Sequence, residues 1–334
     1  MTALQRIAFL QERAGEPTYR VRAFRRAAAT AATQGVDELR ARAGFGSLRE
    51  LAGIGEVTER VIVETLAGER PSYLLKLEAQ QSGPVTSGGR ELRAALRGDC
   101  HTHSDWSDGG SPIAEMAETA RALGHDYMVL TDHSGRLTVA KGLDRDRLAR
   151  QLDVVAELNE QLAPFRILTG MEVDILEDGS LDMGDEVLSR LDVVVGSVHS
   201  KLRMQARTMT RRMVRAVADP NLDILGHCTG RLLAGRGRPE SSFDPELVFA
   251  ACQRFDKAVE VNSRPERLDP PRRLLRLAVE MGCRVSIDTD AHAPGQLDWL
   301  PYGCARAEEC GVNVDQIVNT REAPELVSWA AGHG

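Results

Sequence analysis

Apolar residues follow two rhythms along this chain, and the change between them marks a boundary. Through the first 80 residues they recur every three or four positions, in the stretches 3–13, 19–32, 35–43, 47–52, 56–68 and 71–79, which is the spacing of amphipathic helices. Further on, short Val, Ile and Leu runs alternate with helical patterns. Strands are predicted over 126–131, 166–173, 192–198, 222–226, 257–262 and 284–289, and helices over 144–162, 207–218, 244–255 and 270–281. Between the two regimes lies QQSGPVTSGGR, residues 80–90, where Gly, Ser, Pro and Thr replace any periodicity. The pattern predicts an all-α domain over 1–80, a linker over 81–96 and an α/β domain over 97–334. Strand–helix alternation of this length implies a mostly parallel sheet closed into a barrel.

Composition narrows this picture. A chain of 334 residues suits one barrel plus a small extra domain. No apolar run approaches 18 residues, so no membrane span is expected. The N-terminal MTALQRIAFLQERAGE reads as an amphipathic helix and not as a signal peptide, which points to the cytoplasm. Six cysteines without a CxxC pair fit reduced thiols. Net charge is −7; residues 1–80 carry 12 basic and 10 acidic groups, leaving 30 and 39 for the remainder. The helical part is therefore the better candidate for nucleic-acid contact.

Six of the eight histidines stand in short motifs, most with carboxylates, Ser or Thr beside them: HTHSDWSDG from 101, TDH ending at 133, SVH ending at 199, GHC around 227 and TDAH ending at 292. Four of the five follow an apolar run (DYMVL, DVVVGSV, NLDILG, CRVSIDT), which places each at the C-terminal end of a buried strand, where α/β barrels gather their chemistry. His101 and His103 alternate, so an extended backbone points both rings to one face, with Asp108 following in a turn. Cys100 and Cys228 then face the opposite way, as packing residues. His125 and His333 stand outside any such motif and read as ordinary structural residues. Mixed His and carboxylate donors suit Zn²⁺, Mn²⁺ or Fe²⁺.

In the helical domain, SLRELAGIGEVTERVIV over 47–63 reads as a helix, a short turn and a second helix. Gly53 and Gly55 permit positive φ in the turn, freeing amides at the second helix for a phosphate oxygen. The neighbouring YRVRAFRRAAATAA supplies Arg20, Arg22, Arg25 and Arg26.

Residues 5–78 resemble the DNA-binding helix-hairpin-helix domain at the N-terminus of bacterial family X DNA polymerases. In that family a lysine of the hairpin's second helix can form a Schiff base with an abasic sugar. The first lysine here is Lys76, and Arg60 and Val61 stand near the expected place, so lyase chemistry is expected to be absent. Residues 97–330 resemble the PHP domain at the C-terminus of the same polymerases, through GDCHTHSDWSDGG, LTVAKGL, TGMEVDI, VGSVHS, ILGHCTGRLL, VEVNSRPERLD and SIDTDAH. The polymerase palm and fingers that separate these modules in the family are missing, so DNA synthesis is not expected.

The resemblance implies a distorted (β/α)7 barrel holding two to three divalent ions (Zn, Mn or Fe) on nine residues: His101, His103, Asp108, His133, Glu172, His199, His227, Asp290 and His292. Glu172 is the expected bridging carboxylate. Asp99 is expected to orient a ligand imidazole. Lys141, Arg203 and Arg231, in family-like segments, are expected to hold the substrate's phosphate. Arg22, Arg25, Arg26, Gly53 and Gly55 are the expected DNA contacts. Together these imply a phosphoesterase that cleaves nucleic-acid phosphodiesters with metal-activated water, as a 3′–5′ exonuclease or a 3′-end processor in DNA repair. Its rival is a small-molecule phosphomonoesterase of the histidinol-phosphatase type; a metal-stabilised binding module without turnover stands third.

Overall fold

Helical spacing in the first 80 residues yields five helices: α1 (Ala3–Arg13), α2 (Thr18–Gln34), α3 (Val36–Phe45), α4 (Glu56–Leu66) and α5 (Ser72–Gln80). The computed structural model describes residues 2–81 and 85–333, and its contacts divide the chain into two units, Met1–Pro84 and Val85–Gly334. Helix α1 starts on a reciprocal cap, in which Thr2 accepts from the Gln5 amide and the Gln5 side chain accepts from the Thr2 amide. The helices bury Ile7, Leu10, Phe24, Leu48, Val61 and Leu74, and Phe24 stacks on Tyr73 with centroids 5.4 Å apart. The helix expected over 47–52 shrinks to one 3-10 turn, Leu48–Glu50, because Leu51 already has extended backbone leading into the left-handed Gly53. Leu48, fully buried, anchors that turn.

The linker expected over 81–96 ends early. Residues 82–84 lie outside the described ones, but α6 (Arg90–Ala95) occupies the later part. Leu92 and Leu96 pack with Val285, Ile287 and Leu300, and the Gly89 amide donates to Glu308. Polar neighbours mask these two leucines in the sequence.

Seven strands then follow: β1 (Gly98–Thr102), β2 (Tyr127–Leu130), β3 (Arg166–Asp174), β4 (Val193–Ser197), β5 (Ile224–Leu225), β6 (Ala258–Asn262) and β7 (Arg284–Asp288). They pair side by side in chain order, all parallel. Connecting them are α7 (Ile113–Ala122), α8 (Arg145–Leu162), α9 (Asp185–Leu188), α10 (Ala206–Val217), α11 (Pro245–Arg254) and α12 (Arg272–Glu280); α13 (Leu300–Glu309) and α14 (Ala323–Ala331) complete the chain. A sheet covered on both faces needs apolar residues on both, which is why the strands read as unbroken Val and Ile runs.

The barrel is nearly closed. Strands β1 and β7 share no regular ladder, only a bridge between Thr102 and Ala291. Asn319 fills the seam: its side-chain amide donates to the carbonyls of Gly98 and Ile287 and accepts from the Ile287 amide. Inward residues Val129, Leu168, Val195 and Ile224 pack in one cluster with Leu326 and Ala330 of α14, which seals the end at the strand N-termini. The opposite end, at the strand C-termini, stays polar.

Candidate metal centre

Each strand of a parallel barrel delivers its last residues to one rim, and six of the seven strands here deliver a potential metal ligand. His101 lies in β1 and His103 just beyond it; His133 follows β2, Glu172 lies in β3, His199 follows β4, His227 follows β5, and Asp290 and His292 follow β7. One extra residue between Asp99 and Thr102 interrupts the β1 pairing with β2, a bulge of the kind that re-aims side chains at functional rims. Asp290 has φ 54, left-handed backbone in a residue other than glycine, the type of strain that clusters at functional sites.

Glu172, 1% exposed, stands at the centre. Its Oε2 lies 3.2 Å from His101 Nε2, 3.5 Å from His103 Nε2 and 2.9 Å from His133 Nδ1. Its Oε1 lies 3.2 Å from His199 Nε2 and 3.1 Å from His227 Nε2. Asp290 Oδ1 sits 3.4 Å from His103 Nε2, while Asp108 Oδ1 is 3.5 Å from His133 Nε2 and 3.4 Å from His292 Nε2. All nine expected ligand residues thus converge. Three overlapping sets have donor atoms within 4.8 Å of one another: His103, Asp108, His133 and His292; His101, His103 and Asp290; His133, Glu172 and His199.

The donor set fits divalent ions on an observation of this structure. His101 Nε2, His103 Nε2, His133 Nδ1 and both oxygens of Glu172, which face one another, are buried without hydrogen-bond geometry. Each such atom costs about 1–3 kcal/mol unless something satisfies it, and lone pairs converging from imidazole and carboxylate are what a cation takes. Without ions, charge is balanced among the groups themselves. Burial opposes charge on His101 and His199, yet Glu172, with Glu260 for the first and Asp174 for the second, holds His101 well above its ordinary value and His199 at about 9. Burial would likewise raise Glu172, but His101, His133 and His199 hold it well below the usual carboxylate range. His103 drops to about 3 through burial and the neighbouring His292 and His133.

A second layer of carboxylates orients this one. Asp132 accepts from the Ser104 amide and from the side chains of Ser104, Ser107 and Gln151, which shapes the loop carrying Asp108. Gly109 is required in that loop because a Cβ there would lie 2.6 Å from the Ser104 carbonyl. Asp174 accepts from the His199 amide at 3.1 Å.

Four expected polar roles shift. Asp99 touches no imidazole; burial raises its pKa to about 6, and it accepts from the amides of His101 and Thr289 and from the Thr289 hydroxyl. The carboxylate on a ligand ring is Glu260, whose Oε1 lies 2.6 Å from His101 Nδ1. Arg231 donates to the backbone carbonyls of Arg267 and Leu268, so its guanidinium braces a loop. Arg203 and Lys141 are exposed, and neither lines the cleft above the ligands. That cleft, about 560 Å³, is lined instead by Arg264 and Arg267 from the loop after β6, together with Leu137, Val139 and Leu232. Arg267 Nε lies 3.2 Å from Asp290 Oδ2, and Arg264 Nη1 lies 3.3 Å from His292 Nδ1. Glu260, Arg264 and Arg267 all sit in VEVNSRPERLD, and a glutamate between two valines of a buried strand signals a carboxylate that must be paired.

In the helical unit, Gly53 has φ +87 and lies under the side chain of Arg26, where a Cβ would meet Arg26 Cγ at 2.5 Å. Gly55 does not need positive φ: at −111° it is the extended N-cap of α4, and its amide donates to Thr58 Oγ1. The first turn of α4 carries Glu56 and Glu59, which oppose a phosphate at that helix end. Arg25 is held by Glu12 through two bonds of 2.9 and 2.7 Å, while Arg22 and Arg26 are exposed.

His125 and His333 stay outside the cluster, as expected: His125 pairs with Arg93 and His333 with Asp223. All six cysteines are free and buried, Cys100 and Cys228 among core residues. Among the described residues no helix is long and apolar enough to cross a membrane.

Residues 99–263 match the PHP domain family. Over 285 residues, 82% of this chain, the sequence is 36% identical to the DNA polymerase/3′-5′ exonuclease PolX of Bacillus subtilis (strain 168), of whose length the chain spans 50%. It is 29% identical over 246 residues to a protein of Caldanaerobacter subterraneus named a probable phosphatase, covering 70% of this chain and 90% of that one. A solved structure of histidinol phosphate phosphatase from Lactococcus lactis, complexed with zinc, L-histidinol and phosphate, superposes with a TM-score of 0.45 at 19% identity over 65% of this chain and 95% of that one. The barrel that carries these converging ligands belongs to the PHP domain family.

Proposed function

We propose that the protein cleaves nucleic-acid phosphodiesters, as a 3′–5′ exonuclease or a processor of 3′ ends in DNA repair, with two to three divalent ions (Zn, Mn or Fe) held by the nine convergent residues. One observation carries the choice of substrate. The relatives named phosphatases match over 66% to 70% of this chain and about nine-tenths of their own length, an extent a barrel alone can supply. The match to the B. subtilis exonuclease covers 82% of the chain, more than the unit Val85–Gly334 contains, so it runs into the helical unit. Part of the helical unit is thus similar to a DNA enzyme, and the unit carries exposed Arg22 and Arg26, the latter against the Gly53 turn, which supports DNA as the partner.

The chain's own residues divide the work. Glu172, Asp290, Asp108 and the six imidazoles form the cage, which opens to solvent through Asp108, whose side chain is 36% exposed. Ions bound there supply a lowered pKa for attacking water and neutralise charge that develops on phosphate oxygens. Arg264 and Arg267 present guanidinium groups to the same cleft, where they hold the phosphate of the substrate. Leu137, Val139 and Leu232 wall the opening and limit competing water. This assignment replaces the one expected for Lys141, Arg203 and Arg231.

The test compares 3′-labelled duplex DNA, gapped duplex and histidinol phosphate at equal enzyme with Mn²⁺. Release of nucleotides from DNA is expected to outpace release of phosphate from the monoester. An Arg22→Ala/Arg26→Ala double variant is expected to weaken DNA cleavage and flatten its salt dependence by about one unit of log–log slope per lost phosphate contact. It should leave a small chromogenic phosphodiester unaffected. Fast turnover of histidinol phosphate alone overturns the proposal in favour of the monoesterase.

A further inference from the structure

Strand β6 stands apart from its six neighbours. It delivers none of the nine cage residues, yet it sends two polar side chains, Glu260 and Asn262, into the polar end of the barrel. They are two positions apart on an extended strand and therefore share a face. Both are fully buried. A buried carboxylate with no cation beside it in the sequence must be satisfied by donors, and Glu260 finds three. His101 Nδ1 lies 2.6 Å from Oε1, and Oε2 accepts from the His227 backbone amide and from Asn262 Nδ2 at 3.3 Å. The Asn262 amide also reaches Asp290 Oδ2 at 3.3 Å, and its Oδ1 accepts from the Arg264 amide at 3.1 Å.

We propose that Glu260 is the positioning residue of the metal centre: it fixes which nitrogen of His101 faces the cage and ties His101 of β1 to the His227 backbone after β5, while Asn262 extends the tie to Asp290 after β7. The proposal rests on the metal-dependent reading above. A carboxylate oxygen at hydrogen-bond distance accepts from Nδ1, so a His101 ring that gives up one proton to bind an ion keeps the other on Nδ1 and turns the Nε2 lone pair to the cage. That Nε2 is the atom lying 3.2 Å from Glu172 and 4.0 Å from Asp290 Oδ1, and it has no hydrogen-bond partner. One side chain from the ligand-free strand thus sets the lone pair on one side of the barrel and braces the ligand loop on the other.

Glu260→Gln is the discriminating change, because it preserves volume and removes one acceptor. Glu260 must accept at both ends, from the imidazole and from the His227 amide. Glutamine has one acceptor oxygen and one NH₂ group, so it must turn a donor toward one of those two donors. Binding of Zn²⁺ to ion-free protein is followed by calorimetry, with stoichiometry from elemental analysis and folding from circular dichroism and the melting temperature. Wild-type protein is expected to take up two to three ions, and Glu260→Gln to bind at least one of them 10- to 100-fold more weakly while remaining folded. Leu326→Ala, a truncation at the sealed end of the barrel, serves as a control for destabilisation and is expected to keep wild-type affinity. If Leu326→Ala loses affinity to the same degree, Glu260 has only a structural role and the proposal fails. Should Glu260→Gln not fold, Asn262→Ala, which keeps the carboxylate, is expected to weaken uptake several-fold, and unchanged affinity there overturns the proposal. A wild-type protein that takes up no ion overturns the metal reading itself. Normal loading of wild type beside unchanged affinity in Glu260→Gln overturns this inference alone.

Discussion

His125 offers a measurement of acid stability that is independent of the metal cage. The ring is 4% exposed, and its Nε2 lies 3.1 Å from Arg93 Nη2, which donates to it. Burial and then the Arg93 charge push its pKa from 6.5 down to about 3. A group held neutral in the folded state contributes stability that is fully present above the unfolded value, near 6.5, and is lost as pH falls toward 3, because the unfolded chain takes up a proton that the folded chain refuses. At pH 5 the unfolded chain has gained about 1.5 pH units of advantage, worth about 2 kcal/mol. For a unit of this size that is a fall of about 4–8 °C in melting temperature. Glutamine at 125 retains an acceptor for Arg93 and cannot ionise. Denaturant unfolding of wild type and His125→Gln at pH 7.5 and pH 5.0, with and without Mn²⁺, isolates the effect as a difference of differences. The variant is expected to lose about 2 kcal/mol less than wild type between the two pH values, with or without the ion. Equal losses in both proteins refute the reasoning.

Other outcomes follow from the same geometry. An ion held at 100 times its dissociation constant adds about 2.7 kcal/mol to the folded state, so Mn²⁺ should raise the melting temperature of wild type by about 5–10 °C. Glu172→Gln, which replaces one of the two oxygens nearest five imidazoles with an NH₂ group and removes the charge, should lose most of that rise, and a full rise in the variant argues against the central role of Glu172. Truncating Arg264 or Arg267 to Ala should weaken substrate binding by about 1.5–3 kcal/mol each, the range for a charged hydrogen bond. Steady-state kinetics should show this as a KM effect about 10-fold or larger, and neither change should alter Mn²⁺ stoichiometry. Borohydride treatment with abasic DNA should leave no covalent adduct, since Lys76 is the first lysine of the chain; a trapped complex mapping to the helical unit contradicts this.

The nine candidate ligands, which the fold brings together, were legible because each carries a local signature. A histidine or carboxylate at the end of a Val and Ile run is conspicuous in one dimension, and a parallel barrel sends every strand end to the same rim. The helices of the first unit were legible for a similar reason, their periodicity being a property of neighbours three and four apart. The 3-10 turn at Leu48–Glu50 was not, since an apolar residue every few positions cannot distinguish a full helix from one turn anchored by Leu48. Arg25 looked like a DNA contact in the basic run YRVRAFRRAA until Glu12, 13 residues earlier, was found against it. Arg231 was misassigned for a related reason: its carbonyl partners at Arg267 and Leu268 lie 36 and 37 residues away.

Sequence alone marked most of the strands and helices, the change of rhythm near residue 80 and the residues with the chemistry to grip a cation, because alternation, helical spacing and donor chemistry are all local. Tertiary structure decided which polar groups serve those donors. Glu260 meets His101 across 159 residues, Asn319 closes the seam of the barrel across 221, and Asp99, though next door to the histidine pair, turns to the backbone instead. A hydrogen bond depends on where two groups meet after the chain has closed on itself, and no spacing along the chain records that.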